Sequence, residues 1–440
     1  MSDTSGVGDY QNPVKFDFAV PANLTGGARL IHGANRGLMP ASALEALYEH
    51  FCASCQYGSL TVGGLFGQYQ RWMGLNNADV AWLEAVGRAF AAAGGSGSVI
   101  LADVALEAGL RAAGVSVTRA DIQVSSPTLS GIDPATGYIE DPVNSATGNF
   151  VLPETDVVFG GPSQGLAISR MYNSTLAAAY DEPEACGVLG PGWSTILDQR
   201  LIVTDEQARW VRDDGREIVF PLTGRNGASG SPTAEGCHTV EGPWRAAQDN
   251  VWISRGDAAD LAGVQGATVA GPVWIVADNT GSRLIFTAEG AWVGSTSGAG
   301  DGIWIERRDG MAISMHSEWG RSVDLFYAQG RLAKAVASDG RSVSYAYDSH
   351  GRLVEVTRPD GVHRYQWDGW LLSQVIDASG VAQCVNTFDE AGRIRTQRDA
   401  TGHLTRFTYL PGGVTVADDG QGHHCNTWIS DARGLSLIHI

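Results

Sequence analysis

The sequence predicts a multidomain protein in which a small all-α N-terminal domain precedes a mainly antiparallel β region that forms a long, curled sheet. Apolar residues recur at helical spacing near the N-terminus, whereas the C-terminal half alternates apolar and polar residues between glycine-containing turns. The composition agrees, because 57 of the 440 residues are glycine and only 18% are charged. That balance favours a turn-rich β protein over a helical enzyme. The length allows two or three domains.

Evenly spaced turn glycines define a repeat in the C-terminal half. One set is separated by 21, 19 and 22 residues and comprises Gly340, Gly361, Gly380 and Gly402. A second set is offset from it and comprises Gly330, Gly351, Gly369 and Gly392. Each period therefore holds two turns and two strands, and a fixed period of this size indicates stacked supersecondary units.

The strand of one repeat shows why the units must stack. Val343, Tyr345 and Tyr347 alternate with small or polar residues, so one face of the strand is apolar and aromatic. Asp339-Gly340 and Asp360-Gly361 supply the positive φ angles that tight hairpin turns need. A lone hairpin is only marginally stable in water, so we expect the aromatic faces of successive units to be buried together.

The stretch Tyr345-Ala346-Tyr347-Asp348-Ser349-His350-Gly351-Arg352-Leu353 resembles the YD repeat of Rhs proteins. Residues 386–394 are a weaker copy, and Tyr365-Gln366-Trp367-Asp368-Gly369 shortens the turn and replaces a tyrosine by tryptophan. The resemblance implies structural roles for a set of repeat-motif residues. They are Gly330, Arg331, Gly340, Tyr345, Tyr347, Asp348, Gly351, Arg352, Gly361, Tyr365, Trp367, Asp368, Phe388, Asp389, Gly392, Arg393, Gly402 and Tyr409.

A second resemblance covers the segment before the repeats. Three motifs carry it: D-P-V-x-x-x-x-G-N-F from Asp141 to Phe150, R-x-Y-N-S from Arg170 to Ser174, and G-x-G-W from Gly190 to Trp193. They are similar to the conserved domain that precedes the repeats in Rhs proteins, and the match runs to about Pro221. In that family the domain closes one end of a hollow shell, which implies a partial hollow β-shell here.

The N-terminal region predicts three helices. The first opens at Pro40-Ala41-Ser42 with a Ser42/Glu45 capping box and an apolar stripe to Cys55. The others span about 77–93 and 101–113, the last ending at Gly114. Trp72-Met73-Gly74, ahead of the second helix, resembles the W-x-G element of type VII secretion substrates. The alternative is a plain helical module that docks on the β region.

These observations divide the chain into seven predicted segments. A disordered lead-in (1–20) precedes the helical domain (21–114) and a linker (115–140). An Rhs-type conserved β domain (141–222), a Trp/Gly-rich β region (223–308) and the YD repeats (309–430) follow. Residues 431–440 have no cap or charged flank, and we expect a truncated or foreign tail.

Several motifs that carry chemistry elsewhere fail their context tests here. Gly161-Pro162-Ser163-Gln164-Gly165 fits a nucleophile elbow, yet strand-like residues follow it where a helix is needed. Cys52-Ala53-Ser54-Cys55 lacks a second cysteine pair, and His423-His424-Cys425 lacks partner ligands. We therefore predict no enzyme, no cofactor and no metal site.

The net charge and the distribution of apolar residues also restrict the partners and the localisation that we predict. The formal net charge of −18 argues against nucleic acid as a partner. No run of 18 apolar residues spans a membrane, and no signal peptide is evident, so we expect secretion or cell-surface display by a signal-peptide-independent route.

Two hypotheses of function follow. The first is the N-terminal part of a non-catalytic Rhs shell that encapsulates and delivers a C-terminal toxin in bacterial competition, with that toxin domain and the secretion machinery as partners. The second is a cell-surface carbohydrate-binding or adhesion protein whose repeat aromatics hold glycan. A row of tryptophans serves either hypothesis, as interior filling or as sugar platforms. It consists of Trp244, Trp252, Trp274, Trp292, Trp304 and Trp319.

Overall fold

The computed structural model describes residues 16–19, 21–54, 65–94, 99–115, 130–132, 136–160, 165–179, 186–222, 243–246, 250–257, 271–297, 301–410, 413–419, 426–430 and 436–439. The α-helices are α1 (Pro21–Gly37), α2 (Ala41–Ser54), α3 (Leu65–Ala93), α4 (Asp103–Ala112) and α5 (Ser174–Ala178). A 3-10 helix covers Ile196–Asp198.

Twenty-nine strands are found in the described residues. The first ten are β1 (Phe16–Ala19), β2 (Val99–Ala102), β3 (Tyr138–Ile139), β4 (Val143–Asn144), β5 (Val151–Val158), β6 (Ala167–Asn173), β7 (Trp193–Thr195), β8 (Arg200–Val203), β9 (Gln207–Val211) and β10 (Glu217–Pro221). The next ten are β11 (Trp244–Arg245), β12 (Val251–Asp257), β13 (Pro272–Asp278), β14 (Arg283–Thr287), β15 (Trp292–Thr296), β16 (Gly302–Arg308), β17 (Met311–Ser317), β18 (Ser322–Ala328), β19 (Arg331–Ala337) and β20 (Ser342–Tyr347). The last nine are β21 (Leu353–Arg358), β22 (Gly361–Asp368), β23 (Leu371–Ile376), β24 (Ala382–Phe388), β25 (Ile394–Asp399), β26 (Leu404–Leu410), β27 (Val414–Asp418), β28 (Asn426–Ser430) and β29 (Ser436–His439).

Contacts divide the chain into two units, one of residues 1–123 with 405–440 and the other of residues 124–404. In the second unit β5-β6-β7 and β10-β9-β8 are small antiparallel sheets, and β11 to β25 pair in sequence order as an open meander. The predicted fold class is confirmed, because a small helical region precedes a large antiparallel β region. No helix interrupts residues 330–410, as the repeat predicts.

Helices and C-terminal strands share one core in the first unit. Leu24 of α1, Phe90 of α3 and Leu110 of α4 pack with Val414 and Val416 of β27. All five residues of β27 are buried, so both of its faces are covered. Helices α1, α3 and α4 therefore pack on β27, as expected for a helical module that docks on the β region, and the uncapped tail at 431–440 stays a prediction.

The helix boundaries differ from the prediction in three places. Helix α1 was not predicted, since its four glycines and two asparagines mask the apolar pattern that includes the buried Leu24 and Ile31. Helix α3 begins at Leu65, so Trp72-Met73-Gly74 lies inside a helix and forms no turn between helices. Helix α2 begins at Ala41, where the Pro40 carbonyl accepts the N–H groups of the third and fourth helical residues, so Ser42 does not cap it.

Candidate functional site

The turn after each aromatic strand explains why the repeat needs Asp, Gly and Arg at fixed spacing. Asp348 Oδ1 accepts the N–H groups of His350 and Arg352 at 2.9 and 3.0 Å, while Oδ2 accepts Nε of Arg352 at 2.7 Å. Gly351 closes the turn at φ 74°, which disfavours any residue with a Cβ. The carboxylate thus satisfies turn amides and a guanidinium together.

The weaker copy of the repeat makes the same turn. Asp389 accepts the N–H groups of Ala391 and Arg393 at 3.0 and 2.9 Å, and Nε of Arg393 at 2.7 Å. Gly392 has φ 75°. Although partial burial opposes it, hydrogen bonding to backbone amides and to Arg352 lowers the pKa of the corresponding Asp348 below its ordinary value. The Asp348 turn is therefore held by an ionised aspartate, and the Asp389 turn has the same hydrogen bonds.

The second aromatic residue of each repeat ties neighbouring hairpins together. Tyr347 Oη donates to the Leu332 carbonyl at 2.7 Å, and Trp367 Nε1 donates to the Leu353 carbonyl at 2.8 Å. Tryptophan therefore does in one repeat what tyrosine does in the one before. A β-bulge precedes both rings, at Ala346/Tyr347 and Gln366/Trp367, which bends the strand locally.

The other predicted repeat-motif residues occupy strand ends and turns. Gly330, Gly340 and Gly402 lie in turns at φ 76°, 89° and 88°. Gly361 differs, because it is the first residue of β22 and follows the turn, at φ 139°. Asp368 ends β22 opposite Leu371. Phe388 and Tyr409 are half-buried in β24 and β26, and their assignment to the motif stays a prediction.

A buried polar network holds together the segment before the repeats, residues 136–222, which we call the docking segment. Asn149 Nδ2 donates to Asn173 Oδ1 at 3.1 Å, and the Phe150 N–H donates to Ser174 Oγ at 2.9 Å. Asn173 Nδ2 donates in turn to the Asp214 carbonyl at 3.0 Å. The G-N-F and Y-N-S motifs are therefore two halves of one network inside the second unit.

The docking segment contacts four successive turns, which we call the Gly351 row (Gly330, Gly351, Gly369 and Gly392). The N–H groups of Leu332, Leu372 and Ile394 donate to Val188 O, Tyr172 Oη and Gly148 O at 2.9, 2.9 and 3.0 Å. Between them, a Cβ added to Gly190 would lie 2.5 Å from the Gly351 carbonyl oxygen. Each contact uses a motif of the docking segment and a strand start of the repeats.

A buried charge cluster lies between the docking segment and the middle repeats. Arg170 Nε donates to Asp156 Oδ2 at 2.9 Å, and Arg170 Nη2 donates to Tyr365 Oη at 2.7 Å. Tyr345 Oη donates to the same Asp156 oxygen at 2.8 Å. The Arg170 guanidinium lies 4.5 Å from the centroid of the Trp193 ring, which packs edge-on against Tyr365. The first aromatic residue of one repeat thus binds β5, and that of the next repeat binds the R-x-Y strand β6.

The electrostatics of this cluster fix its protonation. Arg170 is 2% exposed, and although burial opposes its charge, Asp156, Tyr365 and Glu154 raise its pKa above the ordinary value. Burial and the Asp156 charge raise the pKa of Tyr345 well above its ordinary value, and burial raises that of Tyr365 to about 12. Both phenols stay neutral donors or acceptors at neutral pH, so the cluster is an ion pair flanked by two phenols.

Sequence reasoning missed the charged half of this site. Asp156 and Glu154 face Arg170 and Arg358, and Arg358 Nη1 donates to Glu154 Oε2 at 2.7 Å. The available signal was Pro153-Glu154-Thr155-Asp156, two acidic residues inside a strand whose neighbours are apolar, because buried acids need partners.

Chemical motifs elsewhere add no site in the described part of the chain. No group of three or more His, Cys, Asp or Glu side chains there could hold a metal ion. Cys52 lies in α2, while Cys55, Ser163 and His423-His424-Cys425 fall outside the described residues. Among the described helices, none is long and apolar enough to cross a membrane. Trp274 and Trp292 are buried, whereas Trp319 is 67% exposed.

Comparison with known families identifies both halves of the site. The RHS Repeat family matches residues 326–363, which include the Asp348–Arg352 turn and the Tyr345 contact. The chain carries an RHS repeat. A domain of unknown function, DUF6531, matches residues 140–220 and coincides with the docking segment. The two matched regions therefore meet at the charge cluster.

The chain spans only a small part of the relatives that it matches. It is 24% identical over 291 residues to the tRNA nuclease WapA of Bacillus subtilis, covering 64% of the chain and 12% of WapA. Similar solved structures include a crystal structure of TcdB2-TccC3, with 12% identity, coverage of 64% of the chain and 14% of that protein, and a TM-score of 0.21. The Photorhabdus luminescens Tc holotoxin pore has 13% identity, coverage of 69% and 15%, and a TM-score of 0.22.

Proposed function

We propose that this chain is part of an Rhs shell that encloses and delivers a C-terminal toxin domain, and that it is itself non-catalytic. The supporting observation is the attachment of the docking segment to the repeats through a buried Arg170–Asp156 pair and two repeat tyrosines. A segment held this way covers the aromatic face of the sheet, which is what a closed compartment requires.

The toxin association rests on the family and on the relative named tRNA nuclease. The chain spans 12% of that relative, so the nuclease activity belongs to the whole relative and is assigned to no residue here. We propose that a comparable effector follows the repeats in the complete protein and that the protein leaves the cell without a signal peptide. Trp72-Met73-Gly74 lies within a helix, so it does not support the resemblance to type VII secretion substrates.

The alternative, carbohydrate binding by the repeat aromatics, has less support. Tyr345 and Tyr365 bond to Asp156 and Arg170, so they are not available to stack on sugars. Trp319 is exposed at a turn and could act as a single platform. A glycan array probed with the chain separates the hypotheses, since binding abolished by Trp319→Ala would favour adhesion.

Limited proteolysis tests encapsulation directly. One sample is a longer protein that contains this chain and the domain encoded after it, and the other sample is that domain alone. The rate at which a protease cleaves the domain is compared between the two samples. We expect protection of the domain in the long protein and loss of protection when Arg170→Met loosens the docking segment. Equal cleavage of the domain in both contexts would contradict enclosure.

A further inference from the structure

Three arginines bind one stretch of the docking segment, β5 and the residues just after it. They come from three successive turns at the strand ends opposite to the Gly351 row. Arg321 Nη1 donates to the Gly160 carbonyl at 2.6 Å, and Arg341 Nη2 donates to the Val158 carbonyl at 3.0 Å. Arg358 Nη1 donates to the Thr155 carbonyl at 3.4 Å. These arginines flank the β17–β18, β19–β20 and β21–β22 turns, so each hairpin contributes one.

The spacing of donors matches the spacing of acceptors. Successive turns on one side of a meander are two strands apart, or about 9.5 Å. Their acceptors, Gly160, Val158 and Thr155, are two and three residues apart, which is about 7–10 Å of extended chain. The order is also regular, because later repeats contact earlier residues of this stretch. The distance between successive acceptors is therefore similar to the distance between successive turns of the repeats.

Two further contacts strengthen the row. The Arg321 and Arg341 guanidinium groups lie 5.6 and 5.0 Å from the Phe159 ring centroid, so one ring serves two repeats. Arg358 adds an ion pair to Glu154 at 2.7 Å. Asp339 accepts Arg341 Nε at 2.8 Å and orients its guanidinium.

We propose that β5 and Phe159 form a main-chain track that recognises YD-repeat hairpins by one turn arginine each. In this reading Arg321, Arg341 and Arg358 decide which repeats the docking segment covers. Arg321 and Arg341 bond to the backbone carbonyls of Gly160 and Val158, so these two contacts do not depend on the side chains at those positions. The partner that this surface fits is an antiparallel sheet whose turn arginines recur every two strands. This assigns a binding role to residues 140–220 whether or not the shell encloses a toxin.

Other turn arginines supply matched controls. Arg352 Nη1 donates to the Gly369 carbonyl at 2.6 Å, and Arg398 Nη1 donates to the Gly402 carbonyl at 2.8 Å. Both of these bonds stay within the repeats. Substituting one of these arginines removes a turn contact without removing a contact to the docking segment.

Amide hydrogen exchange of the 440-residue chain measures the docking. The readout is the N–H groups of Leu332, Leu372 and Ile394, which donate to the docking segment. We expect Arg341→Met to speed exchange at these amides about tenfold and Arg321→Met/Arg341→Met to speed it further, given the usual strength of hydrogen bonds to charged groups. Arg398→Met should leave them unchanged. Unchanged exchange in the double variant, with Arg358 intact, would overturn the proposal.

A double-mutant cycle separates recognition from general destabilisation. The effects of Phe159→Leu and Arg341→Met on the free energy of opening should be non-additive, because both remove the same contact, whereas those of Phe159→Leu and Arg398→Met should be additive. If the effects of the two substitutions on exchange are additive in both pairs, then Phe159 and Arg341 do not act through one contact and the proposed track is contradicted. Arg341→Lys, which keeps one donor without the fork, should give intermediate exchange and covers the case in which the double variant does not fold. The cycle uses no toxin domain, so its failure is distinct from failure of encapsulation.

Discussion

At the scale of single residues, the buried pair of Arg170 and Asp156 is what makes the docking segment specific for the repeats. Both side chains are fully buried, and a buried charge without its partner is far more costly than an exposed one. Arg170 Nη1 and Asp156 Oδ1 also have no hydrogen-bond partner among the described residues. The pair is therefore sensitive to the loss of either member.

Replacing one member should expose that sensitivity. We expect Arg170→Met to lower the free energy of unfolding by about 3–5 kcal/mol, because Asp156 stays buried without its cation. Arg170→Met/Asp156→Leu should recover most of this loss, since the two fully buried charges are removed together. Urea denaturation followed by tryptophan fluorescence measures both. The control is Arg364→Gln, whose pair with Glu355 at 3.3 Å is exposed and should contribute less than about 1 kcal/mol.

Asp198 gives the docking segment a pH dependence of its own. Burial raises its pKa to about 6, although the Val188 and Thr195 N–H groups and nearby arginines oppose the shift. Since the folded state holds the proton more tightly than the unfolded state, this stabilisation is full below about pH 4 and is lost as the pH rises through 6.

We expect the free energy of unfolding to rise as the pH falls from 7 to 4, with a contribution from Asp198 of at most about 1.4 kcal/mol per pH unit. The measurement is the difference in pH slope between the native chain and Asp198→Asn. Parallel slopes across that window would show that Asp198 does not carry the effect.

At the scale of elements, the turns determine where the docking segment can approach the repeats. Gly190 and Gly340 have nearly equal φ angles of 93° and 89°. A Cβ at Gly190 would lie 2.5 Å from the Gly351 carbonyl oxygen, whereas at Gly340 it would meet nothing within 4 Å. The two glycines thus separate backbone strain from close contact.

The alanine variants of these glycines should differ in stability. Gly340→Ala should cost about 1–2 kcal/mol through backbone strain alone. Gly190→Ala should cost about 3–5 kcal/mol, because main-chain overlap with Gly351 adds to the strain. Thermal unfolding of the two variants measures the difference. Equal losses would mean that the approach of Gly190 to the repeats contributes nothing.

At the scale of the whole molecule, residues far apart in sequence complete each unit. In the first unit, Phe90 of α3 is fully buried in the core that also contains Val414 and Val416, more than 300 residues later. In that same unit Leu47 and Phe51 of α2 are 55% and 56% exposed. The helices therefore stabilise the C-terminal strands through α1, α3 and α4.

This arrangement predicts that a helix substitution reaches the C-terminal strands. Phe90→Ala should cost about 3–5 kcal/mol and speed amide exchange in β27, because it empties their shared core. Phe51→Ala, on an exposed position of the same unit, should change stability by less than about 0.5 kcal/mol. Exchange mass spectrometry of residues 414–418 gives the readout, and protection that survives Phe90→Ala would refute the shared core.

The sequence by itself determined the repeats, because their chemistry is local. Period-2 alternation, Asp-to-Arg spacing and turn glycines act within a few residues of each other, so the strands of 309–410, the turn at Asp348 and the family could all be predicted. Helices α2 and α4 were predicted for the same reason. Helix α1 was not, since its stability comes from Leu24 and Ile31 packing in a core rather than from its own glycine-rich sequence.

Only the tertiary structure decided what the repeats bind. Arg170 and Tyr365 are 195 residues apart, and Arg341 reaches a carbonyl 183 residues away. No periodicity records such contacts, because a carbonyl acceptor is the same in every residue and a buried charge is defined by its partner. Docking of a helical module on the β region was one alternative from the sequence, but the strand that it covers was not predicted, since burial of a strand's second face depends on what packs there.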